Sequence, residues 1–169
     1  MKKNIFILSF LFSSLLSFGQ CPTTEVILTS QADIDNFSIN YPNCTELTHN
    51  LRIDEMIGTV TNLNGLSSIT SAQYIIVLNT HIENFSGLEN LEEISHLALW
   101  FNVKIQNLEG LNSLQYIDRF EMFLNNNVID LSGMEAIQSI NHINLFGNQS
   151  LNDITDLNFI EVISSLTLG

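Results

Sequence analysis

The sequence predicts a solenoid of parallel β-strands behind a small N-terminal cap, and three observations predict it. First, everything after Leu51 obeys one period: residues 74–96, 97–119, 120–142 and 143–165 align as consecutive units of 23 residues, 51–73 is an earlier and less regular unit, and 166–169 begins the next. Second, apolar residues alternate within each unit, as in Leu97 and Leu99, Phe120 and Met122, Ile143 and Leu145, which is the period of two of a strand with one face inward. Third, a unit of this size cannot bury its apolar stripes alone, whereas stacked units share one continuous core.

Each column of the repeat has its own reason. After the strand comes Asn102, Asn125 or Asn148, placed to pair the backbone groups that a turn would otherwise bury unsatisfied. Ile105, Val128 and Leu151 then point inward, as do Leu108, Leu131 and Ile154. A second polar column, Asn62, Asn84, Asn107, Asp130 and Asp153, suits turns in which an Asx side chain bonds its own backbone two residues on. The return side is closed by triplets such as Leu88, Leu91 and Ile94, or Leu157, Ile160 and Ile163. Gly65, Gly87, Gly110 and Gly133, with Asp156 in the last place, anchor the units at spacings of 23 residues, except for 22 between the first two. One residue is therefore missing near Ala72 to Leu78, and the register of that strand is open by one.

The front of the chain divides into a leader (1–20) and a cap (21–50), with the repeats occupying 51–169. Lys2 and Lys3, the apolar run Ile5–Leu16 and the exit Ser17–Gln20 have the order of a secretory signal peptide, and the run is too short for a bilayer core that needs roughly 20 residues. Cleavage is expected after Gln20. A mature chain starting at Cys21 also leaves lipidation open, although Gln20 is not the small residue that usually precedes a lipidated cysteine. The only two cysteines, Cys21 and Cys44, are expected to pair in an exported chain, closing the cap by about 3 kcal/mol. Between them, Val26–Leu28 reads as a first strand, and Ser30 as the N-cap of a short helix through Asn40 that Pro42 stops.

The chain carries 5 basic and 18 acidic residues, a net charge of −13. Loss of Lys2 and Lys3 with the leader leaves three cations against eighteen acids, or −15. Such a chain repels nucleic acid and anionic membrane surfaces, whose binding rests on Lys and Arg. No integral membrane segment is expected after cleavage.

The spacing Ile94-x-x-Leu97-x-Leu99-x-x-Asn102, repeated at Ile117–Asn125 and Ile140–Asn148, is the leucine-rich-repeat signature. With the trailing Gly-Leu-x-x-Leu-x-x-Ile it resembles the receptor L-domain type, a leucine-rich, right-handed, single-stranded β-helix-like solenoid with little helix beyond its cap. The order Cys21, residues 28–37, Tyr41–Leu47 and Asn50–Ile53 is similar to secreted proteins of the Bacteroidetes type that carry this domain. The chain departs from that pattern where a glycine usually precedes the strand, having His96, Arg119 and His142 there. The resemblance implies secretion or display on the outer cell surface, and extracellular binding or an accessory role. Because the last unit stops in mid-strand at Leu166–Gly169, further C-terminal repeats or domains are expected in a longer parent chain.

Function is expected on strand positions that cannot face the core. These are Ala98, Glu121, Asn144 and Thr167 in one column and Trp100, Phe123 and Phe146 in the next, with Ile75 and Val77 preceding them. The proposed ligand-binding set is Trp100, Phe123, Phe146, Val77, Glu121 and Asn144. Three stacked aromatics approach the few hundred Å² at which an exposed apolar patch marks a binding site. The competing reading is a structural aromatic ladder or a patch covered by a neighbouring domain. His96, Arg119 and His142 share a column, but an Arg between two His makes a poor metal site, and the Asn/Asp columns read as structural rather than Ca²⁺-binding. Neither a metal nor a cofactor is expected, and no catalytic constellation is found. The expected function is recognition of an unknown protein or glycan across the sheet; the rival is a structural spacer or adhesin stalk.

Overall fold

The computed structural model describes residues 20–56, 59–160 and 164–169. All of the proposed leader except Gln20 lies outside these residues, as does Ile163 of the last return triplet. Seven strands form one sheet in chain order, every neighbouring pair parallel: β1 (Val26–Leu28), β2 (Glu46–Asp54), β3 (Ser71–Leu78), β4 (Glu93–Trp100), β5 (Tyr116–Phe123), β6 (Ser139–Leu145) and β7 (Ser165–Leu168). Only two short α-helices occur among the described residues, α1 (Gln31–Asp35) and α2 (Phe37–Asn40), both in the cap, besides 3-10 helices at Asn64–Leu66 and Thr155–Phe159. The arrangement is a solenoid-like stack in which each strand lies beside its counterpart one repeat later.

Register follows from burial. Leu97, Phe120 and Ile143 lie side by side, as do Ile94, Ile117 and Ile140, and all are buried in one continuous core with Leu99, Met122 and Leu145. Slipping a strand by one residue would turn all its inward side chains to solvent, so this core holds the register. The turn columns then close each coil. Asn62, Asn84, Asn107, Asp130 and Asp153 each accept the backbone N–H two residues on, at 2.8–3.2 Å. Gly87, Gly110 and Gly133 have φ between +101° and +109°, and a Cβ on any of them would stand within 2.3 Å of the backbone of the preceding coil. These glycines therefore permit a close approach as well as a turn that other residues rarely adopt.

Buried asparagines bind one coil to the next. Asn102, Asn125 and Asn148 are almost wholly excluded from solvent. Their Nδ2 groups donate to the carbonyls of Val77, Leu99 and Met122 on the preceding coil, at 2.8–2.9 Å. Their Oδ1 atoms accept the backbone N–H of Thr80, Asn102 and Asn125, at 2.8–3.0 Å. Each amide thus pairs a donor and an acceptor that no strand partner reaches.

Two expectations are corrected. The missing residue of the short repeat is not in the strand. Ile75 pairs with Leu97 and Val77 with Leu99, and both are fully buried, so Val77 is a core residue and not part of the outward set. Thr80 stands where later coils place asparagine, and the next inward residue, Ile82, follows after two positions, whereas Ile105 follows Asn102 after three. The deletion lies in this turn, where a shorter loop leaves strand pairing intact. The cap helix expected from Ser30 to Asn40 is instead broken at Asn36, whose side chain donates back to the Ala32 carbonyl at 2.8 Å. Ser30 does cap α1, its hydroxyl accepting from the Asp33 N–H, while Asp33 reaches back to the Thr29 N–H at 2.9 Å. Ile34 and Phe37 seal the end of the core, and the Ile34 carbonyl lies where a Cβ on Gly65 would be. Cys21 and Cys44 are joined by a disulfide across the cap.

Asn125→Leu is expected to leave the Leu99 carbonyl and the Asn102 N–H unpaired and to destabilise the fold by about 2–5 kcal/mol, read from urea denaturation. Reducing the Cys21–Cys44 disulfide is expected to remove about 3 kcal/mol, read from the same transition with and without reductant.

Candidate functional site

The sheet has one side in the core and one side outward, and the outward side chains toward the strand ends form three parallel rows. The first runs Tyr74, His96, Arg119, His142 and Ser165. The middle row is Ile76, Ala98, Glu121, Asn144 and Thr167. The third runs Leu78, Trp100 and Phe123, with Phe146 next in the same column of the repeat. Leu78 and Ile76 thus take the outward places expected for Val77 and Ile75.

The third row is apolar and only partly covered. Trp100 and Phe123 are half-buried and Phe146 is 48% exposed. The rings of Phe123 and Phe146 stack at 5.5 Å with 13° between planes, and Phe101 meets Phe123 edge-on at 5.6 Å. Phe123 and Phe146 therefore each turn one face to the other, while Phe146 keeps nearly half its surface in solvent. Phe101, 44% exposed, was not among the expected residues. It sits in a column with Asn79, Leu124 and Gly147, all at φ between +53° and +77°, where the chain bends out of the strand and each N–H donates to the next coil. Gly147 and Asn79 are the sequence signals of that bend, since glycine adopts such φ without strain and asparagine visits it more readily than other residues. The bend swings Phe101 alongside the aromatic row.

The middle row is uneven. Ala98 is fully buried although it points outward, because its larger neighbours close over it. Glu121 is partly buried and faces two nitrogen-bearing side chains, with Oε1 3.6 Å from Arg119 Nη1 and Oε2 3.4 Å from His96 Nε2. Asn144 is exposed and its Oδ1 accepts the Phe146 N–H at 3.2 Å, turning part of its polarity back to the backbone. Thr167 is exposed.

The first row concentrates nitrogen donors. The Tyr74 and His96 rings stack at 4.3 Å with 13° between planes. His96 Nε2 is buried without a hydrogen-bond partner; its approach to Glu121 is an electrostatic contact lacking hydrogen-bond geometry. Arg119 is 47% exposed at its side chain, and His142 Nδ1 lies 2.9 Å from Ser165 Oγ. Between β5, β6 and β7 these rows enclose a shallow cleft of about 140 Å³ lined by Arg119, Glu121, His142, Asn144, Ser165 and Thr167. No group of three or more His, Cys, Asp or Glu suited to a metal ion occurs among the described residues, and no described helix is long and apolar enough to cross a membrane.

Burial of the His96 ring disfavours its imidazolium form, with Glu121 opposing only in part, and holds its pKa below the usual 6.5. The unfolded chain then takes up the proton more readily than the folded one. Stability is expected to be whole above pH 6.5 and to fall as pH drops from there toward the lowered value. His96→Gln is expected to shrink the difference between urea midpoints at pH 8 and pH 5.5; an unchanged difference would remove His96 as its source. Comparison of the chain with family models, curated proteins and solved structures finds no match.

Proposed function

We propose that this chain is a leucine-rich-repeat solenoid of the receptor L-domain type, exported through its leader, that recognises a protein or glycan with the outward face of its sheet and catalyses no reaction. The observation that carries the reading is the apolar row of Trp100, Phe123 and Phe146, extended by Phe101, which keeps large rings partly in solvent on a regular sheet surface. Aromatic area beside polar side chains is what binding sites on soluble proteins concentrate. A rigid sheet adds to this by holding those groups in place before the ligand arrives. The Cys21–Cys44 disulfide supports the extracellular assignment, since such bonds persist in oxidising surroundings, and it occupies the sulfur a thioether-linked lipid would need.

A second reading has its own observation. The Phe123–Phe146 stack is itself a cross-strand contact worth about 0.5–1.5 kcal/mol beyond burial, as expected of a ladder that only stiffens a spacer or stalk. Single replacements of Trp100, Phe123 and Phe146 by Ser separate the two. A recognition face loses capture on protein and glycan arrays by about tenfold or more per anchor residue, while a ladder loses melting temperature with capture no better than an unrelated solenoid from the start.

A further inference from the structure

Glu121 stands between two rival partners, and neither holds it. His96 and Arg119 lie opposite one another on β4 and β5, and Glu121 lies opposite Ala98, whose small methyl leaves the carboxylate room to lean toward β4. Its approaches of 3.6 Å to Arg119 Nη1 and 3.4 Å to His96 Nε2 are both longer than a charge-assisted hydrogen bond, which closes to about 2.7–2.9 Å. The rivals differ in freedom. The His96 ring is fixed by its stack on Tyr74, and its Nε2 is shut off from solvent without a hydrogen-bond partner. The Arg119 side chain makes no hydrogen bond among the described residues and is 47% exposed, so water can hydrate it when Glu121 turns away.

We propose that these groups form a proton-driven exchange on the outward face: Glu121 is shared between Arg119 and His96 while the imidazole is neutral, and passes to His96 when the ring gains a proton, leaving Arg119 unpaired. The step forms a charge-assisted hydrogen bond from His96 Nε2–H to Glu121 Oε2 and gives up a weak, half-exposed ion pair. A proton on Nε2 needs that bond because Nε2 cannot reach water, whereas the guanidinium can. Other titratable groups around His96 do not offer the same acceptor. Tyr74 on β3 presents its ring, and burial holds its phenol above the ordinary value. Asp118 on β5 accepts from Asn141 Nδ2 at 2.7 Å, and Glu93 on β4 itself lies three residues back. His142 on β6 stands opposite Arg119 and meets Ser165 Oγ at 2.9 Å. Burial keeps the His96 ring neutral near pH 7, so the exchange falls where the surroundings turn acidic. Its result is one added positive charge and a freed guanidinium on the face that carries the aromatic row. The exchange takes place whether or not that face has a partner, so it does not rest on the recognition reading.

The test is an NMR titration of the isotope-labelled, purified protein from about pH 8 to about pH 4.5, reading the His96 ring, the Glu121 carboxyl and the Arg119 Nε–H in one series. In the parent protein all three are expected to shift together at one midpoint below pH 6.5. His96→Gln is expected to abolish that step at Glu121 and Arg119, whereas His142→Gln and Asp118→Asn leave it in place. Glu121→Gln removes the attracting carboxylate and is expected to lower the His96 midpoint further; Arg119→Gln removes a repelling charge and is expected to raise it. These last two variants keep the Tyr74–His96 stack, so they decide the matter even where His96→Gln does not fold. An Arg119 signal that ignores the His96 midpoint in the parent protein overturns the exchange, as does a midpoint that stays the same in Glu121→Gln and Arg119→Gln. A step lost in His142→Gln and kept in His96→Gln belongs to the other histidine and overturns it too.

Discussion

Buried backbone polarity at the ends of the strands is the constraint on which the rest of this structure depends. A coil that turns away from a sheet while still inside the core leaves N–H and C=O groups that no strand can pair. Asn102, Asn125 and Asn148 meet this need with one amide each, donating to the coil before and accepting from it. An amide offers both functions at a fixed separation, which a hydroxyl or carboxylate of similar size does not. In the shorter turn after β3, Thr80 stands in the same column, and its N–H and its hydroxyl both donate to Asn102. Because each amide spans neighbouring coils, strand register is held from the turn as well as from the core.

The outward face inherits its order from that register. Residues that are 22 or 23 apart in sequence become lateral neighbours, so any row of the repeat becomes a strip of one chemistry. One strip is aromatic and another carries nitrogen donors, with the small Ala98 between them. The bend after each strand matters as much as the strand. Residues such as Phe101 and Leu124 hold a left-handed backbone there, a modest strain that the interlocked coils sustain, and the bend brings Phe101 against Phe123. Within the aromatic strip Phe123 stacks on Phe146, which ties neighbouring coils together on the outward face.

The chain's acidity is distributed in a way that isolates the face. Most carboxylates sit in turns and on the return side, several bonding nearby backbone, as when Glu89 and Glu135 accept the N–H of Gly87 and Gly133. On the sheet itself Glu121 stands beside Arg119 and His96, as Asp54 stands beside Arg52 on β2, instead of facing solvent alone. The acidic surface discourages polyanions in general, while the sheet keeps a local set of donors.

Much of the architecture was legible because a repeat multiplies every signal. Alternation in Leu97 and Leu99, met again in Phe120 and Met122, identifies inward positions whatever the three-dimensional details, since only one side of a strand can reach a shared core. The Asx columns and the glycine anchors were legible for the same reason, as was the likelihood of pairing between two lone cysteines. The sequence alone could count one residue missing between Gly65 and Gly87 but could not say where, because a deletion in a strand and one in a turn leave the same spacing. Tertiary structure decided it: pairing Val77 with Leu99 keeps the core continuous, so the loss falls in the Thr80 turn and Val77 leaves the candidate surface. Only the folded molecule, too, decided that Ala98 is covered, that Phe123 and Phe146 stack face to face, and that Phe101 joins them. Those outcomes depend on side-chain directions and neighbouring bulk across strands, which a linear pattern does not encode.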